Sequence, residues 1–94
     1  MPNELSSVVV DPTEVKSGGT VTVRVKYNAV SNGNLEISCS GSFAVEPTAV
    51  PLSTAASSTS FDLKVTRTSA TAPHECILHF NFAGDDRDHI VEVH

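Results

Sequence analysis

Eight consecutive residues constrain this chain more than any others. From Thr20 to Tyr27 the sequence alternates without a break, with Val21, Val23, Val25 and Tyr27 apolar and Thr20, Thr22, Arg24 and Lys26 polar. Successive side chains on a strand point to opposite faces, so such a run describes a strand with one face buried and one in water. The same period returns at Leu35, Ile37 and Cys39, at Phe61, Leu63 and Val65, and at Cys76, Leu78, Phe80 and Phe82. Composition points the same way. Twenty-one of the 94 residues are Ser or Thr, and Val is the commonest apolar type. β-Branched side chains lose rotamer freedom in a helix and sit well on a pleated surface. No window of eleven or more residues shows helical spacing, so the chain reads as all-β.

Shorter signals fill in the rest. Ser7 to Val10 is a first strand stopped by Asp11-Pro12, with Val15 resuming the pairing before Ser17-Gly18-Gly19 turns the chain. Proline donates no ladder hydrogen bond, so Pro47 and Pro51 hold the short segments at Phe43–Val45 and Val50–Leu52 to sheet edges. Ser53 to Ser60 is expected to be a loop, Gly84 to Asp88 a turn, and Ile90 to Val93 a last strand. About seven short strands with turn signals every eight to twelve residues fit a two-sheet antiparallel β-sandwich with Greek-key connections, with a closed barrel as the alternative. Ninety-four residues suffice for one domain, residues 1–94, and for a single thin core.

The segment from Val10 to Val23 (Val10-Asp11-Pro12-Thr13-Glu14-Val15-Lys16-Ser17-Gly18-Gly19-Thr20-Val21-Thr22-Val23) resembles the opening of bacterial immunoglobulin-like and fibronectin-type-III-like modules. There a proline near the first strand precedes a glycine-rich turn and a Thr/Val-rich second strand. Two departures stand out: the chain has no Trp, and its one tyrosine, Tyr27, lies on the second long strand. The resemblance implies a non-catalytic module, a spacer or an adhesion or protein-interaction domain, excerpted from a larger secreted or cell-surface protein. Met1 then reads as an added start. In an immunoglobulin-like order the strands of Cys39 and Cys76 are neighbours in one sheet, so a cross-strand disulfide is expected between them, and with it an oxidising compartment. The alternative is a pair of reduced cysteines serving as small core hydrophobes.

Other chemistry finds little purchase. Six Lys/Arg against eleven Asp/Glu give a net charge of −5, which argues against a nucleic-acid partner. No apolar run approaches the ~20 residues of a spanning helix, so membrane insertion is not expected. No cofactor is expected either. Cys76-Ile77-Leu78-His79 has a copper-like spacing, but Cys76 and His79 alternate to opposite faces, and Met1 is the one methionine. His74, His79, His89 and His94 are a weak zinc set, and Asp85, Asp86 and Asp88 a weak calcium set on the expected turn. His74-Glu75-Cys76 has the residue types of a nucleophile and base, but neighbours on a strand alternate faces and rarely converge. Lys26 and Lys64 face outward, which disfavours an isopeptide cross-link.

The outward face of the last two strands carries the candidate interaction site: Ile77 and Ile90 as cross-strand neighbours, beside His79 and Glu92. The expected partner is a protein or a neighbouring domain of the same chain, with the isolated domain monomeric. The competing reading is a carbohydrate-, calcium- or peptide-binding domain using loops 28–34, 68–75 and 84–88.

Overall fold

The structure is a computed structural model describing residues 3–94; Met1 and Pro2, and with them the expected added start, lie outside the described residues. Nine strands form among the described residues: β1 (Glu4–Asp11), β2 (Glu14–Val15), β3 (Gly19–Asn28), β4 (Gly33–Cys39), β5 (Phe43–Glu46), β6 (Ala49–Leu52), β7 (Ser58–Arg67), β8 (Glu75–Phe82) and β9 (Asp85–Val93). They make two sheets, one in the order β1-β3-β7-β5 and the other in the order β2-β9-β8-β4-β6. Among the described residues the chain crosses between sheets at every connection, β2 to β3 by a glycine turn, except β8 to β9, which stays in one sheet as a hairpin. The fold is an all-β immunoglobulin-like sandwich. The count exceeds seven because the first strand splits at Pro12 into β1 and β2, and the middle yields β5 and β6 on opposite sheets around Pro47.

Alternation is what closes the core. β3 buries Val21, Val23, Val25 and Tyr27 and turns Arg24 and Lys26 outward. Val23 and Leu63 of one sheet share a continuous apolar cluster with Ile37 and Phe80 of the other. No polar or charged side chain is buried among the described residues. An interior of this kind is held by area removed from water and by close packing, since it contains no polar network. Tyr27 is the partial exception: its ring meets Phe82 edge-on while its hydroxyl donates to the Ser53 carbonyl at 3.1 Å.

Two sequence expectations need correction. The loop expected over 53–60 ends earlier, because Ser58, Thr59 and Ser60 pair with Lys26, Val25 and Arg24 of β3. The turn expected over 84–88 is only Ala83-Gly84, both with positive φ (54° and 90°), and Phe82 pairs directly with Asp85. Two residues with positive φ match the right-handed twist of a hairpin, so the acidic run that follows is pulled into β9.

That displacement gives Asp85 and Arg87 a structural task. Asp85 Oδ2 accepts the Leu5 N–H at 2.8 Å, and Arg87 Nη2 donates to the Leu5 carbonyl at 2.8 Å. Arg87 is also paired with Asp85 itself. β1 and β9 belong to different sheets, and two side chains here satisfy the backbone groups that a neighbouring strand would otherwise pair. The Leu5 N–H, with help from Arg87, holds the Asp85 carboxyl below the usual carboxylate range against its partial burial.

Candidate interaction face

The exposed face of the five-stranded sheet is set by the β8–β9 register. Ile77 pairs with Ile90, His79 with Asp88, Asn81 with Asp86, and Glu75 with Glu92. Because facing residues on one side of a ladder lie about 4.5–5.5 Å apart, Ile77 and Ile90 form one apolar spot. They are 36% and 55% exposed, on strands whose other faces are core. Around them the carboxylates are dense. Glu14, Glu92 and Glu75 make a row across β2, β9 and β8, while Asp88, Asp86 and Glu36 continue the field across β9 and β4. No lysine or arginine is among the outward residues of these strands. His79 donates from Nδ1 to Asp88 Oδ1 at 2.7 Å, and Asn81 donates to Asp86. Of the four residues singled out in the sequence, Ile77, His79 and Ile90 are contiguous here, and Glu92 lies one pair beyond Ile90.

The cysteines are a correction. Cys39 and Cys76 do lie on adjacent strands, but Cys39 pairs with Leu78 and Cys76 with Val91. Cys76 is thus offset from Cys39 by two residues along β8, a diagonal of about 7–8 Å, longer than the 4.4–6.8 Å Cα separation that disulfides favour. Both are free thiols. Cys39 Sγ contacts the Phe43 carbonyl at 3.1 Å. Burial pushes the Cys76 thiol up to about 11, reinforced by Cys39 and opposed by a hydrogen bond with Ser40. Burial raises Cys39 as well. Thiols held in the protonated form are poor nucleophiles and poor ligands, so the pair behaves as small core hydrophobes.

The calcium set does not assemble. Asp85 is engaged with Leu5 and Arg87, whereas Asp86 and Asp88 point to the outer face toward Asn81 and His79. Alternation along a strand separates what a loop would have gathered. The histidines disperse too. His89 meets Phe80 edge-on, His79 is on the outer face, and His74 and His94 stack at one end with ring centroids 4.9 Å apart. His74 Nδ1 contacts the Val93 carbonyl, and with Cys76 in the core the trio at 74–76 does not converge.

The three loops of the competing ligand-binding reading are also split. Loop 28–34 and the Ala83-Gly84 turn share one end, where Asn3 bridges to Ser31 and Gly33 approaches Phe82. Loop 68–75 lies at the other end, where Arg67 meets Ser17 and His74 meets Val93. With a long axis of 44 Å, the molecule cannot bring all three onto one ligand.

One cluster had no signal in the sequence. Glu14, Glu92 and His94, all exposed, place one ligand atom each within 4.8 Å of one another, and His94 Nε2 lies 2.9 Å from Glu14 Oε1. It exists because β2 pairs in parallel with the end of β9, a two-residue contact too short for any periodic pattern to announce.

No family model matches the chain, and no curated protein matches it. Among solved structures, WR4, a member of the MSP family from C. elegans, is similar over 92% of this chain and 94% of its own, with 16% identity and a TM-score of 0.48.

Proposed function

We infer that this chain is a non-catalytic module that docks a basic protein segment on the outer face of its five-stranded sheet. The observation that carries this reading is the Ile77–Ile90 pair set within carboxylates and free of lysine and arginine. An apolar centre rimmed by charge of one sign is how interfaces combine affinity with selectivity. A partner strand or loop with alternating basic and aliphatic side chains fits it. The module belongs, on this reading, to a larger secreted or cell-surface protein, in which it also spaces its neighbours. The support for that placement is the opening segment from Val10 to Val23, because the free thiols remove the argument from a disulfide.

The test uses amide NMR spectra of the whole chain, titrated with a peptide of alternating lysine and leucine. Resonances of β8 and β9 should shift saturably, the affinity should fall as salt is added, and Ile90→Thr with Glu92→Lys should weaken binding by roughly tenfold or more. Shifts spread evenly over both sheets, or a variant that binds as well as the parent, would refute the docking face. Antibody labelling of intact against permeabilised cells tests the surface placement separately.

A further inference from the structure

The opposite sheet carries the reverse arrangement, in a groove. β1 has a register shift between Leu5 and Ser7, with Ser6 left out of the pairing. A bulge bends its strand, and a groove of about 530 Å³ lies over β3 between β1 and β7. It is lined by Ser7, Val9, Arg24, Lys26, Ser58 and Ser60. The register explains the grouping: Lys26 is flanked by Ser7 and Ser58, and Arg24 by Val9 and Ser60.

The two cations of this groove share one face of one strand. Arg67 is turned onto the carbonyls of Ala70 and Ala72, Arg87 is used by Asp85 and Leu5, and Lys64 faces Glu46 across the register. Arg24 and Lys26, like Lys16, Lys64 and Arg67, have no ion-pair partner within 4.0 Å among the described residues, although the chain as a whole is acidic. Two residues apart on one strand face, the Cα atoms of Arg24 and Lys26 stand about 7 Å from each other. The carboxylates of Asp11 and Asp62 on this face flank Thr22 rather than Arg24 or Lys26, so an anion seated between the two cations gains the attraction of both.

We propose that this groove binds a small organic oxyanion ester, a phosphate or sulfate monoester, with Arg24 and Lys26 on the anionic oxygens. The guanidinium of Arg24 offers paired donors matched to two oxygens of a tetrahedral anion, and Lys26 adds a compact charge. The hydroxyls of Ser7, Ser58 and Ser60 supply further donors. Val9, 49% exposed, meets the organic group of the ester. The site is independent of the docking face: the two lie on opposite sheets.

Titration of the whole chain with phenyl phosphate, phenyl sulfate and inorganic phosphate, followed by amide NMR, tests it. At least one of the esters should shift Val9, Arg24, Lys26, Ser58 and Ser60 saturably and bind more tightly than inorganic phosphate, which gains nothing from Val9. The tighter ester identifies the ligand class. Arg24→Gln with Lys26→Gln should weaken that ester by roughly tenfold or more, as expected for loss of charge-assisted hydrogen bonds. These residues are exposed, so the variant folds. Absence of saturable shifts, equal affinity for all three anions, or indifference to the double substitution overturns the proposal.

Discussion

Adding a reductant to the folded protein separates two incompatible accounts of Cys39 and Cys76. Were they bridged, the bond would close a loop of roughly 37 residues, and the chain-entropy model assigns about 4 kcal/mol to such a loop. For a domain of this size 1 kcal/mol moves the melting temperature by about 4–8 °C, so breaking the bond would lower it by about 15–30 °C. The register offset of two residues gives a different expectation: no shift at all on reduction, because no bond exists to break. Cys76→Ala should cost only about 1 kcal/mol, the transfer energy of one buried sulfur with a small cavity term, and the cost should be the same with or without reductant. Thermal unfolding by circular dichroism, with and without dithiothreitol, reads both quantities. A thiol assay in denaturant without reductant should count two thiols per chain, and the native protein should react slowly because burial holds Cys76 in its protonated form. A melting temperature that drops by 15 °C or more on reduction, or fewer than two thiols in denaturant, would sink the reasoning.

Further outcomes follow from the packing and the hairpin. Phe80 is fully buried at the centre of β8, so Phe80→Ala should cost about 3–5 kcal/mol by urea unfolding, a large share of a typical ~5–15 kcal/mol total. Ala83 adopts positive φ before Gly84, so Ala83→Asn installs the preferred Asn-Gly pair and should raise stability by about 0.5–1 kcal/mol in the same assay. The lowered Asp85 pKa has a definite sign: its stabilisation is present above the unfolded carboxyl value near pH 4 and is lost as pH falls through the lower folded value. Asp85→Asn should therefore lower the melting temperature at pH 7 and flatten its decline on acidification, and an unchanged acid profile would contradict the Leu5 clasp.

Several features were readable in the residues. Val21 to Tyr27 and Cys76 to Phe82 alternate cleanly, and those strands bury the side chains that the pattern marks. Pro47 and Pro51 flank or occupy the edge strands they were expected to restrict. Ile77 and Ile90 break the polar rhythm of their strands, which made the outer face visible as a candidate. Other features left no mark. The extension of β9 back to Asp85 depends on positive φ at Ala83, which a residue of that type rarely adopts, so the acidic run read as a turn. The Arg24–Lys26 groove depends on a bulge in a different strand, and the Glu14–Glu92–His94 cluster on a two-residue parallel contact.

Inside and outside were decided locally. Each alternating run assigns its own residues to core or solvent because the strand repeat is two, and that was enough to name the class of fold. Which residue faces which across a pair of strands is a different matter. Sliding β4 against β8 by two residues leaves every side chain on the same face, so no pattern in the residues distinguishes Cys39 opposite Leu78 from Cys39 opposite Cys76. That choice belongs to the packed whole: Leu35 must meet Phe82, Ile37 must meet Phe80, and the Ala83-Gly84 hairpin must carry β8 into β9 at one register. Only when both sheets close over one interior is the slip removed, and with it the sulfur–sulfur bond.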